Sequence, residues 1–155
     1  MTLQQLSIFL ENRPGHLITP CRVLAEAGIN ILTLSLADTQ QFGILRLIVR
    51  DWQRAKAVLE AAGCVVKVTP VVAVEVSDRP GGLADILAAL EKTEANVAYL
   101  YAFTLKCGTR GVMVFRFDQP DQAIAALAAA GIKIVSSDEI FSLLENDTTD
   151  GPVLC

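Results

Sequence analysis

The sequence has few of the residues that build metal, redox or nucleophilic sites. It contains a single histidine, His16, and four cysteines so widely separated that no two form a C-x-x-C pair. Zinc sites and redox dithiols need closely spaced ligands, and an isolated histidine makes no catalytic triad. Phosphate-binding glycine loops, paired metal carboxylates and nucleophile elbows are also missing. We therefore expect no metal and no cofactor, and free buried thiols at Cys21, Cys64 and Cys107.

Basic charge and long apolar runs are equally scarce. Lysine and arginine number 13 against 17 aspartates and glutamates, which leaves a net charge of −4. Nucleic acids and anionic membranes attract basic surfaces, so neither is expected as a partner. The first apolar run, Leu6 to Leu10, has no basic flank and ends at Glu11, which makes it too short for a signal peptide or a membrane span. These features predict a cytoplasmic protein, and 155 residues with 52% apolar content can build one or two cored domains.

The chain contains an internal repeat. A shift of 66 residues places Asn-Arg-Pro-Gly-His-Leu at 12–17 over Asp-Arg-Pro-Gly-Gly-Leu at 78–83, and it also places Asn30 over Asn96. After a two-residue insertion, the same comparison continues to the end of each copy. Two copies are too few for a solenoid, so a tandem pair of domains is expected.

The repeat sets the predicted domain limits. Residues 1–69 form the first domain, and residues 70–145 form the second with a short C-terminal helix. Ser136 and Glu139 have the spacing of a capping box at the start of that helix. The polar segment 146–155 is expected to be a frayed tail.

Apolar periodicity changes in a fixed order within each copy. Alternating residues such as Leu6 and Ile8 indicate a strand, and the turn after them leads into helical spacing, with Pro14 or Pro80 suited to the first helical position. Two strands, a second helix ending at glycine and a last strand follow. The order βαββαβ predicts an α+β fold: two ferredoxin-like units in tandem, each an antiparallel sheet with both helices on one face.

The second face of each sheet is predicted to be too apolar to remain in water. The residues assigned to this face are Phe9, Ile31, Ile44 and Ile48 in the first copy, and Val97, Tyr99, Tyr101, Val112 and Val114 in the second. Covering it with the sheet of a second chain would bury apolar area, so a homodimer is expected. The alternation of Tyr99, Tyr101 and Phe103 also resembles a base-stacking platform, but the acidic charge favours sheet packing.

The repeated loop before the first helix of each copy is the strongest functional signal. A helix N-terminus presents unpaired N–H groups with a partial positive charge, and glycines there let a ligand approach the backbone. Asp78 could hold an ammonium group while the amides hold a carboxylate, which suits a free amino acid. The same residues also make an ordinary turn and helix start. Arg13 and Arg79 could bind a carboxylate or carry solvated charges, and His16 could face solvent, cap the helix or touch a ligand.

These features resemble ACT domains. The resemblance rests on the repeated loop and on Gly28-Ile29-Asn30-Ile31 before the second strand, and it covers residues 3 to about 136; the second copy departs at Glu94-Ala95. It implies a regulatory module that binds amino acids where the loop of one unit meets second-strand residues of its neighbour. The site residues that it implies are Asn12, Arg13, Gly15, His16, Leu17, Ile29, Asn30 and Ile31 in the first copy, and Asp78, Arg79, Gly81, Gly82, Leu83, Asn96 and Val97 in the second.

The leading functional hypothesis is a non-enzymatic sensor or regulator that binds a free amino acid and acts on an unidentified target protein. A ligand-free dimerisation module is the first alternative, because most of the sequence features serve packing equally well. An acylphosphatase-like hydrolase is the second, with Arg13 on the phosphate and Asn30 positioning water. The proline in the loop removes one amide donor from such a phosphate site.

Overall fold

The computed structural model describes residues 2–39, 42–104 and 110–146. The chain divides into two compact units: residues 4–69, and residues 70–155 together with the first three residues. We call them the first and second unit. The predicted frayed tail lies outside the described residues from position 147 onward, as does Cys107.

The first unit has the element order expected of a ferredoxin-like fold. Its elements are β1 (Leu3–Glu11), α1 (Ile18–Glu26), β2 (Thr33–Thr39), β3 (Phe42–Ile48), α2 (Trp52–Ala61) and the start of β4 (Val65–Ser77). The strands lie in the order β2-β3-β1-β4, and β3 is antiparallel to both β1 and β2. The strand β2 is therefore an edge strand of this sheet.

The second unit repeats this arrangement and adds a helix. It consists of the rest of β4, then α3 (Gly82–Leu90), β5 (Val97–Thr104), β6 (Arg110–Phe117), α4 (Pro120–Ala129), β7 (Ile134–Val135) and α5 (Ser137–Asn146). β6 lies between β4 and β5 and is antiparallel to both, and β7 pairs with β4. The predicted α+β fold of two ferredoxin-like units is confirmed. The last strand of the first copy and the first strand of the second are one continuous strand, since β4 passes through Thr69 and Pro70 without a break.

Each unit has its own apolar core between sheet and helices. In the first unit, Leu6, Leu45 and Leu47 of the sheet pack with Leu24 of α1 and Leu59 of α2, all at most 1% exposed. Phe115 and Phe117 anchor the second core, with their rings stacked 5.4 Å apart. Burial of such side chains contributes roughly 1.5–3 kcal/mol each, so these cores hold the helices in place and thereby position the loops before α1 and α3.

The predicted second sheet face is partly wrong. Ile31, which precedes β2, packs against the helix-side core of the first unit. Val97 packs against the helix-side core of the second unit, because a register shift in β5 between Val97 and Tyr99 changes its face. Ile48, Val112 and Val114 are at most 1% exposed in the single chain, so a second chain is not needed to cover them.

Three local predictions can also be compared with the structure. Pro14 and Pro80 do not begin the helices, because Gly15 and Gly81 adopt left-handed φ values of 85° and 92° between each proline and its helix. Cys21 and Cys64 are free but only half-buried. The capping box is confirmed on one side, where the Glu139 N–H donates to Ser136 Oγ at 3.2 Å.

Candidate functional site

The first loop, residues 12–17, joins β1 to α1 and is exposed along its whole length. It closes on itself through two backbone bonds: the Arg13 N–H donates to Glu11 O at 2.8 Å and the His16 N–H donates to Arg13 O at 3.2 Å. Gly15 lies at its turn, where an added Cβ would meet no atom within 4 Å. The glycine is therefore required by the backbone conformation, and the space beside it is open.

The start of α1 carries no side-chain cap. Its N-cap residue, Leu17, makes no capping bond, and the described first turn of the helix has no acidic residue. The partial positive charge of the helix N-terminus therefore faces the exposed loop without a carboxylate from α1 to neutralise it. Arg13 lies in the same loop and forms an exposed ion pair with Glu11 at 3.1 Å. Exposed pairs of this kind contribute about 0–1 kcal/mol, so a ligand carboxylate can compete for the guanidinium.

The second loop is shorter and repeats the backbone bonds of the first. Gly81 is the left-handed N-cap of α3, and the Gly82 N–H donates to Arg79 O at 3.1 Å. Gly82 is buried, and a Cβ there would lie 2.2 Å from Ser77 O. The missing side chain at Gly82 therefore serves close backbone packing, which corrects the prediction that it opens space for a ligand.

Arg79 of the second loop binds the protein's own carboxylate. Its guanidinium forms an exposed ion pair with Asp85 in the first turn of α3, and it also donates to Pro80 O at 3.2 Å. Sequence reasoning missed Asp85. The signal that could have found it is an acidic residue at the start of a helix, six positions after the loop arginine.

The residues predicted before β2 lie far from the first loop within their unit. The Ile29 N–H donates to Leu24 O at 2.9 Å and so stands at the C-terminal end of α1, whereas the loop stands at its N-terminal end. A nine-residue helix spans about 13 Å. Ile29 and Ile31 pack against the core, and Asn30 is exposed. One unit therefore does not bring its loop and Asn30 to the same place, which also weakens the hydrolase hypothesis because Arg13 and Asn30 cannot share one phosphate within a unit.

The second unit shows the same separation between its loop and Asn96, because Ser77 before the loop pairs with Arg110 at one end of β6 and Val97 after Asn96 pairs with Phe117 at the other end. The Asn96 N–H donates to Asp118 Oδ1 at 2.7 Å, and the Asp118 N–H returns a bond to Asn96 O at 3.2 Å. These bonds fix the entry to β5. Leu83 and Val97 pack against the core and serve structure in this unit. Asn96 and Asp78 keep exposed positions.

A cavity of about 240 Å³ lies beside the second loop. Its walls come from the end of β4, the first turn of α3 and the connection between α4 and β7. They include Gly82, Asp85 and Ile132. Of the predicted site residues, only Gly82 lines this cavity.

The described part of the chain offers little for metal or nucleophilic chemistry. Among residues 2–39, 42–104 and 110–146, no group of three or more His, Cys, Asp and Glu side chains could hold a metal ion. Burial raises the pKa of the Cys64 thiol, which favours its protonated form at neutral pH. Within these same ranges, no helix has the length and apolar character needed to cross a bilayer.

Comparison with known proteins places the chain in a family. The model of the family described as an ACT domain pair matches residues 1–144. The chain belongs to this family, which confirms the resemblance found in the loops. No curated protein gives a significant match to it.

Solved structures show the same architecture. A protein from Bacteroides thetaiotaomicron is 33% identical, with a TM-score of 0.84 over 91% of this chain and 96% of the relative. Two regulatory subunits of aspartate kinase are also similar in fold. The ligand-free subunit from Thermus thermophilus has 18% identity and a TM-score of 0.59, and the subunit from Thermus flavus has 19% identity and a TM-score of 0.58. Each of these two matches covers 82% of this chain and 91% of the relative.

Proposed function

We propose that this ACT domain pair is a non-enzymatic regulatory protein that binds a free amino acid at interfaces between ACT units. The observation that carries the proposal is the exposed first loop in front of α1, whose N-terminus has neither a side-chain cap nor an acidic first turn. Backbone N–H groups and a partial positive charge at such a terminus favour a carboxylate. An amino acid supplies that carboxylate at physiological pH.

The placement of Asn30 supports an interface site. Asn30 and the first loop lie at opposite ends of α1, so a neighbouring unit must supply the second half of any site that uses both. A ligand held in this way contacts two units at once. It therefore favours one packing of the units over another, which is how a small molecule shifts a regulatory equilibrium.

A thermal-shift panel of the purified chain against the twenty amino acids tests this proposal. An amino acid present at 100 times its dissociation constant stabilises the folded state by ~2.7 kcal/mol, which raises the midpoint of a chain of this size by about 5 to 10 °C. One or a few amino acids should give this shift. A flat panel would contradict amino-acid binding.

The second candidate is a dimerisation module without a ligand. It is favoured by the exposed apolar side chains near the start of α1 and on the edge strand β2, namely Leu17, Ile18, Leu34 and Leu36, which are 43–53% exposed. A flat thermal panel together with a stable dimer would support this candidate. Turnover of an acyl phosphate would instead support the hydrolase hypothesis.

A further inference from the structure

We infer that Asp85 closes the second loop with the protein's own carboxylate and so restricts amino-acid binding to the first unit. The inference rests on the proposed function and adds which of the two repeated loops responds. In the Arg79–Asp85 pair, the Asp85 carboxylate takes the place of a ligand carboxylate.

Asp85 competes for both groups that a ligand carboxylate would use in the second unit. Its carboxylate receives a hydrogen bond from the Arg79 guanidinium, the cation of that loop. It also stands in the first turn of α3, where it balances the positive end of the helix.

The first unit has a threonine at the equivalent position. The 66-residue shift that superimposes the loops places Thr19 over Asp85, and the described first turn of α1 contains no acid. The arginine of this loop, Arg13, pairs instead with Glu11 at the end of β1. The helix N-terminus of the first unit is therefore not neutralised by an acid of its own helix.

The loop glycines differ in the same direction. An added Cβ at Gly15 would meet no atom within 4 Å, whereas at the equivalent Gly81 it would lie 3.5 Å from Arg79 Nη1, so the arginine of the second loop covers its own glycine. The first loop thus has an open glycine and no acid in the first turn of its helix, whereas the second loop has its glycine covered by Arg79 and an acid in the first turn of its helix. A protein built this way has one responsive loop and one loop held in a fixed, ligand-independent state.

Amide NMR titration of the full chain separates the two loops. The probe is the amino acid that gives the largest shift in the thermal panel. In the wild type, the amides of residues 15–19 should titrate, and those of 81–85 should stay unchanged over the same concentrations. In D85T the second loop should begin to titrate, and in T19D the affinity of the first loop should fall by about tenfold, since one added carboxylate repels the ligand's own. The matched control is D121T, which removes the first-turn acid of α4 and should change neither titration.

The outcomes distinguish the inference from the proposed function. Equal titration of both loops in the wild type, or a second loop that remains silent in D85T, would overturn the inference while leaving amino-acid binding intact. Titration of neither loop in the wild type would overturn both.

Discussion

Gly15 and Gly63 form a matched pair for testing the first loop. Both have left-handed φ, 85° and 82°, and a Cβ on either would meet no atom within 4 Å. Valine at either position must strain or leave that conformation, at a cost of about 1–2 kcal/mol. Gly15→Val and Gly63→Val should therefore lower stability similarly, and only Gly15→Val should abolish the thermal response to an amino acid. A normal response in Gly15→Val would show that this loop does not hold the ligand.

Leu34 and Leu47 are neighbouring leucines that differ greatly in exposure, and they should differ equally in their contribution to stability. They are cross-strand partners on one face of the first sheet, yet Leu47 is 0% and Leu34 is 53% exposed. Leu47→Ala leaves a cavity in the core and should cost about 2–5 kcal/mol, while Leu34→Ala should cost under about 1 kcal/mol. Urea unfolding of the two variants at protein concentrations where the chain is monomeric measures the difference, because a dimer formed through β2 would cover Leu34. Equal losses would contradict the assigned edge position of β2.

The helix α5 is held to the rest of its unit partly by charge. Lys133 lies between Glu139 of α5 and Glu75 of β4, with the Glu75 oxygen 3.5 Å from Nζ. The hydrogen bond from Lys133 lowers the pKa of the Glu139 carboxyl, and the same bond raises the pKa of Lys133. The contribution of Glu139 to stability is therefore present above its unfolded pKa and lost as the pH falls through the folded pKa. The contribution of Lys133 is present below its unfolded pKa and lost in the alkaline range.

Removing the Lys133 ammonium group should reduce the loss of stability on acidification. The midpoint difference between about pH 7 and about pH 3 should be smaller in Lys133→Met than in the wild type, because protonation of Glu139 then breaks no ion pair. Lys92→Met, an exposed lysine just after α3, is the control and should keep the wild-type difference. If Lys133→Met keeps the wild-type midpoint difference, the Lys133–Glu139 pair does not stabilise α5.

The type and order of the helices and strands could be predicted from the sequence. The sheet face on which each strand residue lies and the residue at which each helix begins could not. The strands alternate and the helices follow a 3.6-residue period, so βαββαβ is visible in each copy. The face of Val97 was mispredicted because the irregularity in β5 is a long-range effect of pairing with β6. The helix start was wrongly placed at Pro14, because the sequence does not distinguish a left-handed Gly15 from a glycine at an ordinary helix start.

The candidate site was predictable only where one loop contributes all of it. Asn12 to Leu17 do form one exposed loop. The predicted partner Asn30 lies at the other end of α1, and no periodicity could show which neighbouring unit faces it. Asp85 was missed for a different reason: it lies outside the repeated loop motif, and its pairing with Arg79 is a contact between side chains six positions apart.

At the scale of the whole molecule, the proposed interface requires association through an exposed apolar surface. Leu36 and Phe42 are 52% and 55% exposed and lie on opposite faces of the first sheet, because Leu36 pairs with the core residue Leu45 while Phe42 shares the face of Ile44. Leu36 lies on the sheet face that packs against α1, the helix at whose start the proposed site lies. We call the exposed residues Leu17, Ile18, Leu34 and Leu36 the apolar patch. We therefore expect a homodimer formed through this patch by the edge strand β2.

A charge placed on either face distinguishes the two surfaces. Leu36→Glu should convert the dimer to a monomer in light scattering at low micromolar concentration, because a desolvated carboxylate opposes association. It should also weaken amino-acid binding, since an interface site is incomplete without the second chain. Phe42→Glu adds the same charge at nearly the same exposure on the other face and should leave both properties intact. If Phe42→Glu dissociates the dimer and Leu36→Glu does not, association uses the opposite face of the sheet, and the ligand site must be sought away from the start of α1.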